Sequence, residues 1–218
     1  GALFAGLIGS EEAAAGTVQL KNLRSAEQFT VMLSDLPAFL AAHPELGLNL
    51  QSSTHVVDFE REPVDLALRL GNGRWPNVHA EFLFHEWITP VASPALARKH
   101  GKPAPDQMAK LPLLGDPANR WKDWFEHFGG QPPTRYVAQF DDTETLHQAA
   151  AQGVGVALAR WTLAEPLVKA GRLVTLTKKR LQADFAHYLV YPERSLAHPG
   201  FRKVRSWLLE QAGIAVER

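Results

Sequence analysis

From Gly16 onward, short apolar runs of strand length alternate with segments whose apolar residues recur at helical spacing. This is the pattern of an α/β domain built on parallel sheet. Residues 17–20 read as a strand. Ser25-Ala26-Glu27-Gln28 is a capping box, and Phe29, Met32, Leu33, Leu36, Phe39 and Leu40 make one apolar stripe, so a helix is predicted over 26–43. Pro37 inside it takes away a backbone donor and predicts a kink, and Pro44 ends it. Residues 46–50 alternate as a strand that empties into Ser52-Ser53-Thr54, after which Asp58 is placed to cap a short turn over 59–62. A third strand, 64–70, breaks at Gly71-Asn72-Gly73.

Residues 80–84 and 86–92 form two more extended runs. Ser93-Pro94 is a helix start, the Ser as N-cap and the Pro at the first helical position, with Gly101 as the stop. Asn119 is expected to cap a helix carrying Trp121, Trp124, Phe125 and Phe128, stopped by Gly129-Gly130. A strand over 134–140 leads to Asp141-Asp142-Thr143, where Asp142 caps a helix with Leu146, Ala149 and Ala150. Gly153-Val154-Gly155 then turns into a strand at 156–158. A helix over 163–169, strands at 173–176 and 187–191, and a last helix with Phe201, Val204, Trp207 and Leu208 on one face complete the pattern.

The 218 residues, 45% apolar and 21% charged, are enough for one large domain or two small lobes with a proper core. The 23 Lys+Arg balance 23 Asp+Glu, so the chain lacks the basic footprint of a nucleic-acid binder. The absence of Cys excludes disulfides, thiolate metal sites and a Cys nucleophile. No apolar run approaches the roughly 20 residues of a membrane span. The apolar start at 2–8 has no basic segment before it and Glu11-Glu12 soon after, which argues against a signal remnant.

Catalytic constellations fail in turn. His85-Glu86-Trp87-Ile88-Thr89 opens like a zinc-protease motif, but Thr89 stands where the second His must lie. There is no G-x-S-x-G elbow, no complete dinucleotide loop and no P-loop, and the nine His are scattered. What recurs is a strand running into small hydroxyl or carboxyl residues at a helix start: Ser25, Ser52-Ser53-Thr54, Ser93 and Asp142-Thr143. In open α/β sheets such ends form the ligand crevice, and the free N–H groups suit a small carboxylate. Each also reads as a plain helix cap, and Asp142 suits an amino group better than an anion. Arg69 lies on the same strand face as Asp65 but four residues away, too far to pair. Its partner is either an effector carboxylate or an acid on a neighbouring strand.

Several ordered segments resemble the effector-binding domain of LysR-type transcriptional regulators, in the branch of the glycine-cleavage activator and the β-lactamase regulator. They are Leu36-Pro37-Ala38-Phe39-Leu40 with His43-Pro44-Glu45-Leu46, Val57-Asp58-Phe59, and Val64-Asp65-Leu66-Ala67-Leu68-Arg69-Leu70-Gly71-Asn72-Gly73-Arg74-Trp75-Pro76. Pro90-Val91-Ala92-Ser93-Pro94, Phe140-Asp141-Asp142, the run from Ala149 to Leu158 and Tyr188-Leu189-Val190-Tyr191-Pro192 follow. The similarity spans about 16–212.

The resemblance implies a type 2 periplasmic-binding-protein-like α/β fold, two Rossmann-like lobes joined by two crossover strands near 87–92 and 187–191. Residues 1–15 would be a linker-helix stub or leader, and 16–218 the effector-binding domain, with lobe one at 17–88 plus 192–218 and lobe two at 91–187. By the same resemblance an effector between the lobes would touch Ser25 or Ala26, Ser53, Thr54, Pro90, Val91, Ser93, Asp142 and Thr143, and Arg69 joins this set of effector-binding candidates from its strand position alone. Helices 26–43 and 143–152 would pair across an antiparallel homodimer. Two departures stand out: Ala26 takes the usual hydroxyl position, and Ser34 and Val31 replace a common Pro and Trp. The implied function is the ligand-sensing half of a cytoplasmic regulator that is not an enzyme and needs neither cofactor nor metal. Its effector would be a carboxylate or amino-acid-like metabolite, and its DNA contacts would belong to a winged helix-turn-helix outside these residues. The alternative on the same fold is a solute-binding protein of a transporter.

Overall fold

The computed structural model describes residues 4–6, 17–22, 36–51 and 56–213. In chain order the elements are β1 (Phe4–Gly6), β2 (Thr17–Asn22), α1 (Leu36–Ala42), β3 (Gly47–Gln51), β4 (Ala67–Gly71), β5 (His79–Ala92), α2 (Pro94–His100) and β6 (Leu114–Gly115). They continue with α3 (Arg120–Phe128), β7 (Ala138–Gln139), α4 (Thr143–Ala151), β8 (Ala157–Arg160), α5 (Trp161–Lys169), β9 (Val174–Thr175), β10 (Leu181–Tyr191) and α6 (Pro199–Gln211). The chain divides into unit one, residues 1–85 with 184–218, and unit two, residues 86–183, so β5 and β10 are the strands in which it passes between units.

In unit one β2 and β3 run parallel, Thr17 opposite Gly47 and Lys21 opposite Gln51, and β1 pairs antiparallel with both. β4 and β10 are antiparallel, Ala67 opposite Val190 and Gly71 opposite Ala186. The core joins Phe39 of α1, Leu66, Leu68, Leu83 and Leu189 to Phe201, Val204, Trp207 and Leu208 of α6. The three-and-four spacing of those α6 residues forms the buried stripe, and Phe39 stacks on Trp207 at 4.8 Å. α6 begins where the sequence supplies an acceptor: His198 Nδ1 takes the Gly200 and Phe201 N–H groups at 3.1 and 3.3 Å, with Pro199 at the first position. The Asp58 turn forms as expected, its Oδ1 accepting the Glu60 N–H at 3.0 Å while Glu62 Oε1 accepts the Asp58 N–H at 2.9 Å.

In unit two β6 and β7 are parallel, and Leu113 bridges Val156 in parallel on the other side, so β8 follows β6 in direction. β5 is antiparallel to β8, with Ile88 opposite Arg160 and Val91 opposite Ala157, and β9 also pairs with β5. Trp121 and Trp124 are fully buried, and their ring N–H groups donate to the Leu114 and Pro105 carbonyls at 2.8 and 3.1 Å. An indole can be buried when its one donor is met, and these two anchor α3 to the core. A second core packs Leu146 and Ala150 of α4 on Val91, Leu114, Ala157 and Leu167.

Several expectations change. β4–β10, β5–β8 and β5–β9 are antiparallel, and among the described residues parallel pairing occurs in β2–β3, β6–β7 and the Leu113–Val156 bridge between β6 and β8. The two runs at 80–84 and 86–92 are one strand, β5, because Phe84-His85-Glu86 contains no Gly or Pro to break it. The strand expected from 64 starts at Ala67, since the Val64 and Asp65 carbonyls accept from Arg194 and the Ser195 hydroxyl, at 2.9 and 2.7 Å, instead of from a ladder. The run 134–140 is a strand only at Ala138–Gln139, following Pro132-Pro133, which bring no donors. Asn119 does not cap α3 with its side chain. It adopts a left-handed conformation, φ 50°, and its Oδ1 accepts from the Tyr136 hydroxyl at 3.0 Å. The helix expected over 26–43 is described only at Leu36–Ala42, and its capping box lies outside the described residues.

Candidate functional site

Strand direction gathers the polar groups of unit two. β6, β7 and β8 point the same way, and β5 enters against them. The carboxyl ends of the three parallel strands and the amino-terminal part of β5 therefore share one edge. Asp116 follows β6, Asp142 and Thr143 follow β7, Arg160 ends β8, and Glu86 lies on β5. Three helices, α3, α4 and α5, begin at that edge.

Each helix start is met differently. Asp142 caps α4, Oδ1 accepting the Thr145 N–H at 2.7 Å and its hydroxyl at 2.8 Å, as the sequence predicts. α5 follows Arg160, which has no acceptor to offer, so Glu86 supplies one from the neighbouring strand. Its Oε1 accepts the Thr162 N–H at 3.2 Å and the Trp87 N–H at 3.0 Å, and its Oε2 accepts from the Thr162 hydroxyl. Glu86 is fully buried, and the charge it carries is balanced by Arg160 at 3.9 Å. At the head of α3, Arg120 pairs with buried Asp116 at 3.2 Å. His147 lies within this edge and is 1% exposed. Its ring is held neutral, with the pKa pushed down to about 3 by burial and then by Arg160 and Arg120, against the weaker pull of Glu86 and Asp142.

The residues expected to bind effector separate in space. Asp142 and buried Thr143 sit at the strand-end edge. Pro90 and Val91 lie inside β5 opposite Leu158 and Ala157, and the Pro90 carbonyl accepts the Leu176 N–H at 3.0 Å. Ser93 is at the far end of the sheet, its hydroxyl accepting the Leu96 N–H at 3.2 Å as the cap of α2. It borders a groove of about 600 Å³ with Arg98, Lys99, Gln152 and Gly153, at the opposite end of α4 from Thr143. Ser25, Ala26, Ser53 and Thr54 lie outside the described residues.

Arg69, in unit one, does not pair with an acid of the neighbouring strand, where Tyr188 stands opposite it. Its Nη2 donates to the Val57 carbonyl at 2.7 Å, and its guanidinium lies over Phe59 at 5.1 Å and Trp75 at 5.7 Å. Burial lowers its pKa, with Glu62 acting in the other direction. Asp65 is also buried, which pushes its carboxyl up to about 7 against the opposing influence of Arg194.

Reading for hydroxyls at helix starts passes over Glu86, Asp116, Arg120, His147 and Arg160. Asp116 and Arg160 adjoin strand ends, Glu86 lies within β5, Arg120 begins α3, and His147 falls four residues after Thr143 on one helix face. Among the described residues no group of three or more His, Asp or Glu is placed to hold a metal ion, and no helix is long and apolar enough to cross a membrane.

Parallel strands whose carboxyl ends carry polar groups at helix starts are the arrangement of a small-ligand-binding α/β protein. The family described as "LysR substrate binding domain" matches residues 14–213, and the chain belongs to that family. It is 31% identical over 186 residues to the HTH-type transcriptional regulator PerR of Escherichia coli K12, covering 84% of this chain and 62% of that protein. It is also 31% identical over 187 residues to the glycine cleavage system transcriptional activator of the same organism, covering 84% and 61%. The chain thus spans about three fifths of the length of these relatives. Among solved structures, the effector domain of the transcriptional regulator AmpR of Pseudomonas aeruginosa superposes with a TM-score of 0.74 at 30% identity, covering 85% of this chain and 91% of that one. The fold is therefore that of LysR effector-binding domains, α/β and like a type 2 periplasmic binding protein.

Proposed function

We propose that this chain is the sensor of a cytoplasmic LysR-type regulator. It binds a small carboxylate or amino-acid-like effector and passes the change to a helix-turn-helix segment carried elsewhere in the whole protein. The observation that carries this reading is the family match across 14–213, joined to relatives that are transcriptional regulators. Those relatives favour a sensor over the solute-binding reading, and over an enzyme. An effector acts only through its different affinity for two arrangements of the protein, so its contacts belong on elements that can shift. Asp142 and Thr143 at the head of α4 are the contacts we assign from the described residues. Self-association as a homodimer supplies the two-fold frame through which such a shift reaches a pair of DNA half-sites.

The test is a thermal-shift screen of the 218-residue chain against a library of central metabolites. One chemical class raises the melting temperature in proportion to the logarithm of concentration. Thr143→Val, which keeps the shape and removes the hydroxyl, weakens that response about tenfold while the unliganded melting temperature stays within a few degrees. An unchanged response removes Thr143 from the site.

A further inference from the structure

His147 has no internal use for one of its ring nitrogens. It is 1% exposed, and Nε2 has no hydrogen-bond partner among the described residues. Unmet polar atoms are rare in cores because they weaken folding, so one that is kept calls for a reason. His147 stands one helical turn from Thr143 on the same face of α4, where it feels the charges of Arg160, Arg120, Glu86 and Asp142.

The acids of this corner are already engaged. Glu86 accepts from Trp87 and from both donors of Thr162, Asp142 from both donors of Thr145, and Asp116 is paired with Arg120. At the imidazole the guanidiniums of Arg160 and Arg120 act more strongly than the carboxylates of Glu86 and Asp142. The whole unit leans the same way: residues 86–183 carry 13 Lys+Arg against nine Asp+Glu, and the rest of the chain ten against 14.

We propose that this corner of unit two recognises the carboxylate of the effector, with Arg120 and Arg160 supplying charge and the Thr143 hydroxyl and His147 Nε2–H donating to the oxyanion. The assignment rests on the effector-binding reading above. A neutral imidazole suits the task, because it donates without adding a third cation beside two arginines. Uncharged amides of the same acids lose the charge component and bind worse.

The experiment is titration calorimetry and thermal shift of the 218-residue chain with succinate, benzoate and alanine, each beside its amide, on the native protein, His147→Leu and His147→Gln. At least one acid binds, at least tenfold more tightly than its amide. His147→Leu melts higher, having lost the unmet nitrogen, yet binds that acid about tenfold more weakly. His147→Gln, whose amide N–H reaches the same place, recovers most of the affinity. If His147→Leu does not fold, the Nε2 nitrogen resonance of the native protein still reports, moving on saturation with the acid and not with the amide. An acid and amide that bind equally, an unmoved resonance or an unaffected His147→Leu overturns the assignment and leaves the effector reading standing. If no acid, no amide and no library metabolite binds, the effector reading itself falls.

Discussion

Two buried titratable side chains give this chain opposing responses to pH. Asp65 has its pKa raised from 3.8 to about 7. Between those values the unfolded chain has lost the proton that the folded one keeps, so this group's contribution to stability falls as pH rises from about 4 to about 7. His147 has its pKa lowered from 6.5 to about 3, so the unfolded chain binds the extra proton and stability rises with pH from about 3 to about 6.5. The two contributions oppose each other over most of that range. Urea denaturation from pH 4 to pH 7 therefore shows stability climbing more steeply with pH in Asp65→Asn, and falling with pH in His147→Leu, than in the native protein. Asp65→Asn is also more stable than native at pH 8, where the native carboxyl must be charged while buried. Loss of Glu86 is a separate case: Glu86→Ala leaves Arg160 buried beside an uncapped α5 and costs about 3–5 kcal/mol.

At the level of elements, the helix stops separate backbone strain from steric clash. Gly101 ends α2 at φ 73°, and a Cβ there meets nothing within 4 Å. Gly130, after α3, has φ 94° and approaches the Asp106 carbonyl, where a Cβ would lie 2.3 Å from the oxygen. Gly101→Ala costs about 1–3 kcal/mol from conformation alone, and Gly130→Ala costs more because backbone must move as well. Denaturation midpoints of the two variants check the order. Elements with strong local chemistry were legible in the sequence: Ser93-Pro94 and Asp142 start helices as expected, and the spacing of Phe201, Val204, Trp207 and Leu208 names the buried face of α6. Where a distant residue decides, the local pattern misleads. Arg194 and Ser195, some 130 residues on, take the carbonyls that would have begun β4 early, and Tyr136 takes the side chain of Asn119 away from its helix. The candidate site was half legible for the same reason. Asp142 and Thr143 announce themselves by spacing, whereas the influence of Glu86, Arg120 and Arg160 on His147 shows only after strand order is known.

For the whole molecule, family membership and fold make this a ligand-binding domain of the LysR kind, spanning about three fifths of relatives that regulate transcription. A sensor that relays a signal to paired DNA half-sites must self-associate, so sedimentation equilibrium of the chain gives twice the 24.1 kDa monomer mass at high concentration. A monomer throughout the accessible range contradicts that part of the proposal. Binding of a small molecule is the function proposed for this chain. Titration calorimetry of the 218-residue chain with the metabolite that stabilises it most tests this directly. The expected result is saturable binding of one molecule per chain, weakened by Thr143→Val. Heat that never saturates, with every class of metabolite, contradicts it.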